Sequence, residues 1–111
     1  MTPPMDLVQG TVDVLILKTL SWQPMHGYQV SRAIRLATED ELQLEEGTLY
    51  PALHRLETKG MIEAEWGLSE NNRRAKYYTL TTSGRRSLVE RTQVWERYAR
   101  AVSRLLATNA I

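Results

Sequence analysis

EEGTLYPALHRLETKG, residues 45–60, is the stretch on which the fold turns. Leu49, Ala52, Leu53 and Leu56 recur at helical spacing, which gives one apolar face and requires a core for it to meet. At about 100° per residue, Pro51, His54, Arg55 and Thr58 fall on the opposite face, with Thr48 at its edge. Lys59 and Gly60 then supply the cation and the left-handed residue that close a helix. The polar face combines hydrogen-bonding groups with positive charge and carries no acid, so it suits an anionic groove and, equally, plain solvent. Two helix starts are open. A start near Glu46 leaves Pro51 inside, where it removes the amide bond to the Gly47 carbonyl; a start at Tyr50 puts Pro51 at the first helical position.

Working outward, the 111 residues can bury a modest core, and a 42% hydrophobic content excludes a disordered chain. The net charge of +1 does not announce a nucleic-acid binder, but the charges are unevenly placed. Residues 39–46 hold five acids and no base, whereas residues 73–76 and the C-terminal third are rich in arginine. Without cysteine there is neither a disulfide framework nor a thiolate metal site, which fits a cytoplasmic protein. Asp6 and Asp13 interrupt any secretory pattern, and no apolar run is long enough for a membrane span.

Ahead of the opening stretch, Pro3 and Pro4 mark a short arm. From Asp6 or Thr11 to Trp22, the spacing of Val8, Val12, Leu15, Ile16 and Leu20 predicts a first helix. The segment 23–27 is a breaker, and a second helix follows over residues 26–37 with Val30, Ala33, Ile34 and Ala37 inward. Leu42 and Leu44 alternate as a short extended piece would. Two short helices and then the Leu49-containing helix are compatible with a helix-turn-helix, whose later helix enters the major groove.

Beyond Gly60, residues 61–66 alternate, with Ile62, Ala64 and Trp66 to one side and Met61, Glu63 and Glu65 to the other: a half-buried strand. Residues 67–75 are polar with Asn71-Asn72 as turn residues, and residues 76–81 return as a second strand with Tyr78 and Leu80 on one face. The expected class is therefore mainly α with a β-hairpin wing, a winged helix-turn-helix over residues 1–81 followed by a long C-terminal dimerisation helix over residues 82–111.

The strings HGYQVSRAI, GTLYPALHRLETKGMI and RRAKYYTLTTSGRRSL resemble the PadR family of bacterial transcriptional regulators, in order and at family spacing, from about Leu7 to Leu88. The single C-terminal helix is similar to the short subfamily. The resemblance implies a homodimeric winged helix that binds a roughly palindromic operator on double-stranded DNA, usually as a repressor. It also favours the earlier start of the helix containing Pro51.

On that footing the candidate DNA-binding residues sort by chemistry. Thr48 and His54 can hydrogen-bond base edges, and Pro51 can give apolar contact to a thymine methyl. Tyr50, Arg55 and Lys59 are placed for phosphates, which position a protein without reading sequence. Arg73, Arg74 and Lys76, on the hairpin loop and edge, suit phosphates or a narrow minor groove. Tyr28, Gln29 and Arg32 at the start of the second helix offer a phosphate clamp. Tyr50 and Tyr28 fit equally as core aromatics, and a lone surface His54 as a solvated one.

The C-terminal helix, capped by Thr81 or Thr82, carries Leu88, Thr92, Trp95, Ala99, Val102 and Leu106 at intervals of 4, 3, 4, 3 and 4, a heptad seam. A helix of about 26 residues spans about 39 Å, more than a small domain can cover. A second copy of itself is the economical partner, with Leu7 and Val8 of the first helix crossing the joint. By resemblance to short PadR-like regulators that hold flat hydrophobic molecules between paired tryptophans, Trp95, Thr92 and Ala99 are candidates for binding a small aromatic or hydrophobic effector; Trp95 fits a packed dimer core as well. Arg91, Arg97, Arg100 and Arg104 read as solvated faces. No motif positions catalytic residues, a metal or a cofactor. The competing function is a winged-helix protein-interaction module without DNA binding, which the acidic segment and near-neutral charge would suit.

Overall fold

In the computed structural model, which describes residues 10–110, the chain runs through four helices and three strands. These are α1 (Val12–Leu20), β1 (Met25–His26), α2 (Gly27–Ala37), α3 (Glu46–Thr58), β2 (Ile62–Leu68), β3 (Arg74–Leu80) and α4 (Thr82–Ala107). The expected class holds: three helices, a hairpin wing and one long helix. Leu7, Val8, the proline arm and any extension of the first helix toward Asp6 lie outside the described residues.

The core forms where the apolar stripes meet. Ile16, Leu17 and Leu20 of α1, Val30 and Ile34 of α2, and Leu49, Ala52, Leu53 and Leu56 of α3 pack on Ile62, Tyr78 and Leu80 of the hairpin. Burying such side chains contributes roughly 1.5–3 kcal/mol each, which dominates the choice of helix orientation. The helix α3 starts at Glu46, so Pro51 is interior, and its ring is exposed. Among residues 42–45 no strand forms; instead the chain turns through Glu39 and Asp40 at positive φ. Thr38 Oγ1 accepts from the Leu42 amide at 3.1 Å, and Ser31 Oγ donates to the Leu44 carbonyl at 3.1 Å. Leu44 is thereby buried and the chain is delivered to α3.

The hairpin also departs from expectation. β2 runs on to Leu68 and β3 begins at Arg74, which leaves a loop of five residues, 69–73. The polar run at 67–75 hid these strand ends because both lie beyond the core, where alternation no longer tracks burial. The supposed breaker contributes a strand: Met25 pairs with Tyr78 and His26 with Tyr77, giving a three-stranded sheet of order β1-β3-β2. Two residues are too few to show a period.

The end of α3 and the start of α4 are one joint. Gly60, at φ +74°, turns the chain, while the Met61 amide donates to the Leu56 carbonyl and the Gly60 amide to that of Glu57, satisfying the last turn. Thr81 Oγ1 donates to the Gly60 carbonyl at 2.7 Å and accepts from the Gly84 amide at 3.0 Å. A methyl on Gly84 would strike the Met61 carbonyl, so glycine is required there.

A carboxylate completes the frame. Asp13 on α1, buried at 8% exposure, bonds Arg55 of α3 through one oxygen and Arg91 of α4, at 3.4 Å, through the other. Arg91 is thus a structural anchor and not part of a solvated face. Replacing Asp13 by asparagine leaves two guanidinium groups without their counter-charge. The expected loss is about 2 kcal/mol, given that Arg55 is half exposed. That corresponds to on the order of 10 °C in melting temperature by differential scanning calorimetry.

Candidate nucleic-acid interface

Four of the residues expected on the reading face of α3 are exposed: Thr48, Tyr50, Pro51 and His54. Leu49, Ala52, Leu53 and Leu56 occupy the core behind them, so the helix cannot rotate to hide that face. Lys59 is exposed at the C-terminal cap.

Tyr50 reaches across to α2. A Cβ built on Gly27 would lie 2.8 Å from both Cε1 and Oη of Tyr50, so the missing side chain of Gly27 is what admits the ring. The first turn of α2 is organised by His26, whose Nδ1 accepts from the Gln29 amide while Gln29 Oε1 accepts from the His26 amide, a reciprocal cap. Gln29 therefore uses its side-chain carbonyl on the cap. Tyr28 and Arg32 are exposed.

A groove of about 560 Å³ separates this turn from the hairpin. Tyr28, Gln29, Arg32, Tyr50, Arg74 and Lys76 all line it, which brings half of the predicted set into one concave surface. Buried Tyr78 also lines it; burial pushes its phenol above the ordinary value against the opposing charge of Lys76, so it stays neutral. Two of the expected basic residues are engaged internally. Arg55 is held by Asp13, and Lys76 Nζ lies 3.2 Å from Glu57 Oε1. Arg73 sits exposed at the end of the wing loop, where its amide donates to Ser69 Oγ, its carbonyl accepts from the Ser69 amide, and Asn72 takes φ 58°.

One groove residue escaped the sequence reading. Trp66 shares a face with Ile62 and Ala64, as expected, yet is 57% exposed because that face continues beyond the core. The Arg74 guanidinium carbon lies 4.4 Å from the Trp66 ring centroid. The signal in the sequence was the spacing: in the hairpin register Trp66 faces Lys76, which makes Arg74 its diagonal neighbour.

The second candidate surface is on α4. Leu88 packs on the core and Thr92 Oγ1 donates to the Leu88 carbonyl, but beyond them the helix leaves the domain. Val94, Trp95, Tyr98, Val102, Leu105 and Leu106 are all exposed and Ala99 partly so. Trp95 lines a groove of about 820 Å³ between the start of α1 and α4 with Val14, Met61, Arg91, Val94 and Tyr98. Thr92 and Ala99 do not line it. No metal-binding cluster and no helix long and apolar enough to cross a membrane occur among the described residues.

A helical trio whose third helix is followed by a basic-edged hairpin defines a winged-helix protein. Residues 16–90 match the transcriptional regulator PadR-like family, and the chain belongs to that family. It is 34% identical over 90 residues to an uncharacterised protein of Lysinibacillus sphaericus, covering 81% of this chain and 83% of the relative. A transcriptional regulator from Clostridium thermocellum superposes with a TM-score of 0.80 at 32% identity, over 90% of this chain and 97% of that one. A PadR family regulator from Clostridium difficile does so with 0.75, also at 32%, over 88% and 100%. The protein is accordingly a DNA-binding transcriptional regulator and not an enzyme.

Proposed function

We propose that this regulator acts in the cytoplasm as a homodimeric repressor of a palindromic operator, relieved by a small aromatic or hydrophobic effector. The observation that carries the reading is the apolar stripe of α4. Seven large apolar side chains stand exposed on the 26-residue α4, six of them from Val94 onward, where the helix has left the domain. Exposed stripes of this kind call for a partner, and a two-fold pair of α4 helices would cover Val102 and Leu106 with their own copies. Residues 1–81 then form the DNA-binding unit and residues 82–111 the dimerisation helix. Pairing sets two copies of α3 on one side, as a palindrome requires.

In the DNA-bound state Thr48 and His54 contact base edges and Pro51 a methyl group. Tyr50, Tyr28, Gln29, Arg32, Lys59, Arg73 and Arg74 hold phosphates. Arg55 and Lys76, already paired with acids, stiffen the frame instead. Trp95 stacks an effector at the dimer seam, with Thr92 and Ala99 providing the space beside its ring.

Fluorescence anisotropy with DNA from upstream of the protein's own gene tests the DNA contacts. Affinity should fall steeply with salt, and Arg73→Ala should reduce the slope of log affinity on log salt by about one. Affinity that is absent or indifferent to salt would favour the protein-interaction module. Val102→Glu puts a charge in the seam: sedimentation should give monomers, and operator binding should weaken on the order of 100-fold once two half-sites no longer act together. A dimeric variant would refute the seam. Titration with a flat aromatic cation should quench tryptophan emission well beyond a Trp95→Phe control; equal quenching of both would remove the effector site.

A further inference from the structure

We propose that Trp66 is a positioning residue for DNA binding, holding the Arg74 guanidinium flat so that its in-plane donors face a backbone phosphate. The proposal rests on the DNA-binding reading and names how the wing carries it out. In the hairpin register, Ile62, Ala64, Trp66 and Leu68 of β2 lie opposite Leu80, Tyr78, Lys76 and Arg74 of β3, and all eight share one face of the sheet. That face begins in the core at Ile62 and Leu80 and ends in solvent. Its two cations meet different fates. Lys76 is neutralised by Glu57 of α3, whereas Arg74 makes no ion pair among the described residues and rests on the indole.

Stacking uses the face of a guanidinium and leaves its N–H groups, all in the plane, free to bond. An arginine alone is flexible, and ordering it on binding costs side-chain entropy. The indole meets that cost before DNA arrives. The ring itself would gain little from exposure to water, which makes a 57% exposed tryptophan intelligible as a platform. The pair also looks into the groove shared with Arg32, Gln29 and Tyr50, so the stacked fork and the first turn of α2 converge on one stretch of backbone.

The test compares wild type, Arg74→Ala, Trp66→Leu, Trp66→Phe and the Arg74→Ala/Trp66→Leu double variant. Binding to the upstream duplex is measured across a salt series, with thermal unfolding to confirm the fold. Leucine keeps the apolar bulk without a π face, and phenylalanine keeps a face. Arg74→Ala should lower the salt slope by about one. Trp66→Leu should weaken binding roughly threefold to tenfold and shift the slope the same way. The double variant should be no weaker than Arg74→Ala alone, and Trp66→Phe should recover most of the affinity. Losses that multiply in the double variant, or a Trp66→Leu protein with wild-type affinity and slope, would overturn the proposal while leaving DNA binding intact. Wild-type protein without salt-dependent binding would overturn the DNA reading and this proposal with it.

Discussion

The carboxylate of Asp13 accepts from Arg55 and Arg91, and through it three helices distant in sequence share one charge cluster. At 8% exposure an unpaired aspartate would be costly, and two guanidinium partners satisfy both of its oxygens. The cluster matters because α3 and α4 do different work. α3 exposes the polar face of Thr48, Pro51 and His54, whereas α4 exposes an apolar stripe beyond the domain. Their only covalent link is the hairpin. Asp13, together with the joint of Gly60, Met61, Thr81 and Gly84, leaves α4 no freedom to rotate on the domain without breaking bonds to the end of α3 or to α1. In the proposed dimer, the spacing of the two α3 helices would therefore follow from the geometry of one chain.

The electrostatics are local for the same reason. A net charge of +1 says little about a surface on which acids and bases are sorted. Arg55, Lys76 and Arg91 are used inside the frame, against Asp13 and Glu57. Among the described residues Arg32, Lys59, Arg73 and Arg74 make no ion pair. Three of these four lie on α2's first turns or on the wing, the elements that flank α3. The acidic run at residues 39–46 lies in the connection between α2 and α3 and at the first turn of α3. A near-neutral chain can in this way still present a basic surface where DNA is expected.

The four helices, the hairpin and most of their inward faces could be read from periodicity along the chain. Leu49, Ala52, Leu53 and Leu56 on one side of a helix, Ile62 and Ala64 on one side of a strand, and Tyr78 and Leu80 on one side of the next follow from periodicity, because burial of a repeating stripe is a local demand that neighbouring residues record. The family could be read for the same reason, from motifs carried on those elements. Contacts between elements were another matter. Whether Arg55 meets phosphate or Asp13, whether Met25–His26 forms a strand, and whether Trp66 is buried or exposed depend on what lies across a gap of many residues. Ion pairing, strand pairing and the reach of a core are decided by distance in space, which hydropathy along the chain does not encode. Only the tertiary structure could separate the basic residues that hold the frame together from those left free to bind.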